Sequence, residues 1–240
     1  MRPSTFFDPR ASEHGSTFVL QGPEAHHAIA VHRSAIGDTI DVVDGGGVRL
    51  RCVIDRIDGK DHLALSVEER TVQVRGPVST TVVQPLIKDA DVAVDLLTQA
   101  GVDHIVPWRS QRSVVQWRPD RMAKAHTKWV NVAHHAAKQS RRAWWPTVAP
   151  LATTEEVLAV LRGADQVLIL DAESPHRIGD IDICPSGNRV LVVGPEGGLS
   201  DAEADAFSPW QTASIGTDVL RSAVAGAAAL FALLGHSGSR

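Results

Sequence analysis

At 240 residues, 43% hydrophobic and 22% charged, the chain has the composition of an ordinary soluble globular protein of one large or two modest domains. Two cysteines, Cys52 and Cys184, lie far apart and match no metal or redox spacing, so a reducing, cytoplasmic setting is expected. The net charge of −4 conceals an asymmetry: residues 107–145 hold nine Lys or Arg against one acid, a net +8, and leave 15 basic and 27 acidic residues elsewhere, a net −12.

The opening "MRPSTFFDPR" lacks the apolar core of a signal peptide. "EAHHAIAVHR" reads as a short helix. Strand-like runs follow on either side of the Gly45-Gly46-Gly47 turn, with a break at Asp58-Gly59-Lys60, which suggests a small barrel. Near residues 74–78 the rhythm changes. "TTVVQPL" is a buried strand, "DADVAVDLLTQAG" an amphipathic helix ending at Gly101, and "DHIVPW" a second strand. Pro119-Asp120 open a long helix through "RMAKAHTKWVNVAHHAAKQS". A helix over 154–162, the strands "QVLILDA" and "RVLVVGP", a helix after Ser200, the strand "TASIG" and an apolar helix from about Val219 complete the chain. Alternating strands and helices imply a mostly parallel α/β sheet covered on both faces. The run "AVAGAAALFALLG" is too short for the ~20 residues that span a bilayer, so no membrane partner is expected.

Two loops invite a functional reading. "LVVGPEGGLSDAE" places Gly194, Pro195, Glu196, Gly197 and Gly198 at a strand's carboxyl end, where open α/β sheets bind ligands. Glycines let backbone approach a ligand closely. Glu196 and the missing lysine argue against phosphate. A neutral or cationic ligand with hydrogen-bonding edges fits better, and S-adenosylmethionine is one. The plainer alternative is a turn feeding a helix, with Ser200 and Glu203 forming a capping box. The second loop, "SIGTDVLRSAVAG", sets Ile215-Gly216 ahead of Val219, Leu220 and Arg221 and of a helix rich in small residues that would pack close to another backbone. An arginine at the start of an apolar helix faces an anion or a carbonyl.

Together these loops resemble the trefoil-knot (SPOUT) RNA methyltransferases, and within them the family that methylates N3 of a specific uridine in bacterial 16S ribosomal RNA. The resemblance spans nearly the whole chain, including "HHAIAVHRSAIGDTIDVVDGGG", "LIKDADVAVDLLTQAGVDHIVPWRSQRSV" and "KWVNVAHHAAKQSRRAWWPTV". It implies an RNA-binding PUA-like β-barrel over 1–74, an α/β SPOUT methyltransferase domain with a deep C-terminal trefoil knot over 75–240, and a homodimer. It also implies an S-adenosylmethionine pocket of Leu170, Gly194 to Gly198, Ile215-Gly216 and Val219 to Arg221. The chain departs from the family where Leu-Arg-x-Glu-Thr-Ala becomes Leu220-Arg221-Ser222-Ala223-Val224-Ala225. A Thr-Glu-Leu-Gly turn likewise becomes Thr98-Gln99-Ala100-Gly101, and a Glu-Gln pair becomes Lys138-Gln139. The roles of the replaced residues do not carry over.

The basic stretch then has a use on 16S rRNA or the small ribosomal subunit. Arg109, Arg112, Arg118, Arg121, Lys124, Lys128, Lys138, Arg141 and Arg142 can neutralise phosphates, and Trp108, Trp117, Trp144 and Trp145 can stack bases or pack internally. Arg221 is the candidate for stabilising the anion that develops on the uracil. No His, Cys or carboxylate spacing suggests a metal. Two other readings compete: a ribose 2′-O methyltransferase on the same scaffold, disfavoured because "DVLRSAVAG" lacks the Asn that precedes the final helix there, and a non-catalytic RNA-binding protein.

Overall fold

Period-two burial organises the first strands. Val48, Leu50, Cys52 and Ile54 point into an apolar core, while Arg49 and Arg51 between them do not. The computed structural model describes residues 3–13 and 15–236. It comprises two units, Met1–Arg75 with Ala137–Trp145, and Gly76–Ala136 with Pro146–Arg240.

The first unit holds β1 (Ser4–Phe7), β2 (Thr17–Gln21), the short α1 (Pro23–His26) continuing into a π-turn, β3 (Thr39–Val43), β4 (Val48–Asp58) and β5 (His62–Val72). The strands form one sheet in the order β1-β3-β4-β5-β2. Irregular registers at Arg51/Cys52 and Ile54/Arg56 mark bulges in the long β4–β5 hairpin, where strands bend. Phe6, Phe18, Leu20, Ile40, Leu63 and Leu65 fill the core.

Residues 137–145 complete this unit. The Trp145 ring stacks on Phe7 with centroids 4.2 Å apart, and its backbone N–H donates to the Gly45 carbonyl at 2.9 Å. The Trp144 indole N–H donates to the Gln73 carbonyl at 2.7 Å. Gly47, at φ +103°, lies so close to the Trp144 ring that a Cβ there would stand 2.6 Å from two ring carbons. The Lys138 ammonium pairs with Glu24 at 2.6 Å. A division of the chain at residues 74 and 75 leaves this returning segment out, because a two-tryptophan packing partner has no periodic signature.

The second unit holds β6 (Val78–Pro85), α2 (Ala90–Gln99), β7 (His104–Trp108), α3 (Met122–Gln139, whose last residues count with the first unit), β8 (Thr147–Val148), α4 (Thr154–Arg162) and β9 (Gln166–Leu170). β10 (Gly187–Val192), α5 (Asp201–Phe207), β11 (Gln211–Ala213) and α6 (Ser222–His236) follow. The sheet runs β11-β9-β10-β6-β7-β8, and every pairing in it is parallel. Alternate strand residues serve opposite faces. Val82, Leu168 and Leu191 join one apolar cluster with Leu97 of α2 and Leu230 of α6. Val83, Ile169 and Val192 join another with Val157 and Leu161 of α4 and Phe207 of α5. The fold is thus mixed α/β, with a curled sheet and a parallel one.

The last helix starts at Ser222, three residues beyond the expected Val219. The Arg221 carbonyl accepts from the N–H groups of Val224 and Ala225 at 2.8 and 3.0 Å, so Val219 to Arg221 stay in the loop as its lead-in. Close packing of α6 follows from Gly226, where a Cβ would lie 2.9 Å from Leu97 Cδ2 and 3.2 Å from Val193 Cγ2.

Candidate functional site

Because β11, β9, β10 and β6 are parallel neighbours, their carboxyl ends share one edge. Three predicted segments lie there: Leu170 at the end of β9, the 194–198 loop after β10, and the 215–221 loop after β11. The two loops are fastened directly. Ser222 Oγ donates to the Gly194 carbonyl at 2.6 Å. Leu170 is half-buried beside them, paired in register with Ala213.

Local geometry explains the glycines. Gly198 has φ +70°, and its N–H donates to the Pro195 carbonyl at 2.9 Å, closing a turn. A Cβ at Gly194, Gly198 or Gly216 would meet nothing within 4 Å, so the backbone at these positions faces open space. Pro195 is buried, and Glu196 is exposed on the turn. After the turn, Ser200 caps α5 and forms the expected capping box with Glu203. Ile215 is half-buried, whereas Gly216, Val219, Leu220 and Arg221 are exposed. The Arg221 guanidinium has no hydrogen bond or ion pair among the described residues.

One residue at this edge belongs to no motif in the sequence. Gln84, fully buried near the end of β6, donates from Nε2 to the carbonyls of Ser222 and Pro85 at 3.4 and 3.5 Å. Its Oε1 is buried with no protein partner. A lone amide inside the apolar "TTVVQPL" was the available signal.

The basic residues divide by what they touch. Arg109, Arg118 and Lys124 are exposed in the second unit. Arg121 lies 3.8 Å from Asp120, and Lys128 pairs with Asp91 at 2.6 Å. Arg112 is turned onto the glycine loop, donating to the Leu199 carbonyl at 2.8 Å. In the first unit Arg141 is exposed at φ 55°, and Arg142 Nε donates to the Trp144 carbonyl at 2.8 Å.

The tryptophans resolve toward packing. Trp108 is fully buried and donates to Thr154 Oγ1, while Trp117 meets Trp129 edge to face. Trp145 stacks on Phe7, and Trp144 lies between Gly47 and the Arg75 guanidinium, which sits 4.3 Å from the ring centroid. Among the described residues, no group of three His, Cys, Asp or Glu could hold a metal ion, and no helix is long and apolar enough to cross a membrane.

The chain is similar to known proteins along most of its length. The RNA methyltransferase domain family matches residues 74–234. The chain is 33% identical to ribosomal RNA small subunit methyltransferase E of Mycobacterium tuberculosis, over 95% of this chain and 90% of that protein. It is 28% identical to the Bacillus subtilis protein of the same name, over 92% and 91%. A crystal structure of ribosomal RNA small subunit methyltransferase E from Neisseria gonorrhoeae bound to S-adenosyl methionine superposes with a TM-score of 0.85, at 25% identity, covering 98% of each chain.

Proposed function

Given that the chain belongs to the RNA methyltransferase family represented by ribosomal RNA small subunit methyltransferase E, we propose that it methylates N3 of one specific uridine in 16S rRNA. It is an S-adenosylmethionine-dependent methyltransferase of small-subunit ribosomal RNA. The observation that carries the site is the joining of the two loops, Ser222 to Gly194, at the carboxyl edge of the parallel sheet.

The residues present fit the cofactor. Gly194, Gly198 and Gly216 offer unobstructed backbone, Gln84 offers a buried acceptor without a protein partner, and Glu196 adds a negative charge suited to a cationic ligand. Leu170, Pro195, Gly197, Ile215, Val219 and Leu220 complete the proposed pocket. When bound, S-adenosylmethionine supplies an electrophilic methyl group on a positively charged sulfur. Uracil N3 becomes nucleophilic only as its proton leaves, so negative charge develops on the base. Arg221 stands at the start of α6, where the helix dipole reinforces its own charge. A guanidinium there stabilises the anion as it forms.

Exposed Arg109, Arg118, Arg121, Lys124 and Lys128, with Arg141 and Arg142, support salt-sensitive binding to rRNA phosphates. We read the first unit's curled sheet as a PUA-like barrel that shares in RNA binding. The return of β11 beside β9, followed by the docking of α6 onto the loop leaving β10, supports a trefoil knot. Val224 and Phe231 share one face of α6 and are 37% and 56% exposed, which supports a homodimer formed across that face.

The test is transfer from a methyl-deuterated cofactor to 16S rRNA or small subunits lacking the modification, followed by nucleoside mass spectrometry. Labelled 3-methyluridine is expected; label in ribose-methylated nucleosides, or no label, overturns the reading. Arg221→Ala should lower kcat by about 10²-fold or more, as removal of an anion-stabilising donor does. Full turnover in that variant at saturating RNA and cofactor would remove Arg221 from the mechanism.

A further inference from the structure

By charge alone Arg112 belongs with the phosphate-binding residues, yet its guanidinium is occupied elsewhere. Nη1 donates to the Leu199 carbonyl at 2.8 Å and to the Gly197 carbonyl at 3.5 Å, and Nη2 lies 3.4 Å from Asp201 Oδ1. The preceding residue adds a second fastening, since the Gln111 N–H donates to Glu203 Oε1 at 2.7 Å. Glu203 is only 1% exposed, and its other oxygen accepts from the Ser200 N–H at 2.9 Å. Where the segments meet, a Cβ on Gly197 would stand 3.2 Å from Arg112 Cβ, so glycine at 197 permits the approach. Two consecutive residues between β7 and α3 therefore bear on the glycine loop and the capped start of α5.

We infer that Arg112 is a positioning residue, which holds Gly197 to Leu199 in the shape that receives the cofactor instead of gripping an RNA phosphate. The inference rests on the cofactor reading of the glycine loop. Glycine-rich backbone loses more conformational freedom than any other on ordering, so a loop fixed in advance binds its ligand more tightly than one that must be ordered by it. A guanidinium suits the task because its planar fork serves two carbonyls and a carboxylate at once, which a lysine ammonium on a flexible stem does not reproduce.

Calorimetry with S-adenosylmethionine, in the absence of RNA, tests this on the wild type, Arg112→Ala and Arg112→Lys. The alanine variant should bind the cofactor roughly tenfold more weakly, the scale of one lost charge-assisted hydrogen bond, and lysine should restore only part of that. In turnover, KM for the cofactor rises while kcat and KM for RNA hold. The slope of log affinity for RNA against log salt stays at the wild-type value. Unchanged cofactor affinity overturns the inference, and a salt slope lower by about 0.7–0.9 would return Arg112 to the phosphate contacts. Amide exchange separates a local effect from a damaged fold: Arg112→Lys should accelerate exchange at Gly198 and Ser200, whose N–H groups are hydrogen-bonded in the loop, while the sheet amides stay protected. Exchange that is unchanged there, or raised throughout, overturns the inference. Failure of the wild type to bind the cofactor would overturn the cofactor reading itself.

Discussion

Ser222 Oγ donates to the carbonyl of Gly194 at 2.6 Å, tying the first turn of the last helix to the loop that leaves β10. Ser222 is nearly buried, so Ser222→Ala leaves the Gly194 carbonyl without its partner at a cost of about 1–3 kcal/mol. Because both loops are proposed to hold the cofactor, part of that cost should fall on binding. A severalfold rise in Kd for S-adenosylmethionine by calorimetry, with a small drop in Tm, is the expected result.

Gln84 should show opposite effects on stability and binding. Its Nε2 bonds are long, and Oε1 has no protein partner, so the amide contributes little to the fold. Gln84→Leu removes a buried polar group and should leave urea stability equal or higher by up to about 1 kcal/mol. Cofactor affinity should fall. Lower stability with unchanged affinity would mean that the amide is a structural element of the fold.

Gly226 tests how tightly α6 is packed. Alanine would gain about 1 kcal/mol in helix propensity, but its Cβ would meet Leu97 Cδ2 at 2.9 Å, Val193 Cγ2 at 3.2 Å and Val82 Cγ1 at 3.3 Å. Overpacking of this kind costs about 1–3 kcal/mol, so Gly226→Ala should be net destabilising in chemical denaturation and Gly226→Val more so.

The acid side of the stability curve should depend on the cap of α4. The Glu156 carboxylate accepts from the Thr153 backbone N–H at 2.7 Å and from its hydroxyl at 2.9 Å, and these bonds hold its pKa below the usual carboxylate value. A depressed folded-state pKa stabilises above the unfolded value, about 4.3 for Glu, and that contribution disappears as pH falls through the folded value. Glu156→Gln should therefore flatten the loss of stability below about pH 4. A melting series across pH 2–6 on both proteins checks the sign.

Much of the architecture is legible in the sequence because single elements carry their own signals. The apolar runs before Pro85, Leu170 and Val192 become three neighbouring parallel strands, and the Ser200–Glu203 spacing becomes a capping box. The glycine loop could be placed at a strand end for the same reason. What stayed hidden depends on partners distant in the chain. Nothing near Arg112 in sequence says that its guanidinium meets Leu199. Gln84 shows only as a polar interruption, and Trp108, Trp117, Trp144 and Trp145 could stack bases or pack internally until each finds an internal neighbour. Apolar Val219 and Leu220 place the start of α6 too early in a sequence reading, because the capping carbonyl belongs to Arg221.

The return of residues 137–145 to the first unit bears on how the protein is made. A nascent chain released only as far as Arg75 would display the Phe7 ring and the Gly45–Gly47 turn without the two indoles that cover them. Those nine residues arrive some sixty positions later, after β6, α2, β7 and most of α3 have been synthesised. The N-terminal unit therefore closes late, and a fragment ending at residue 75 is an unfinished domain with an apolar seam exposed.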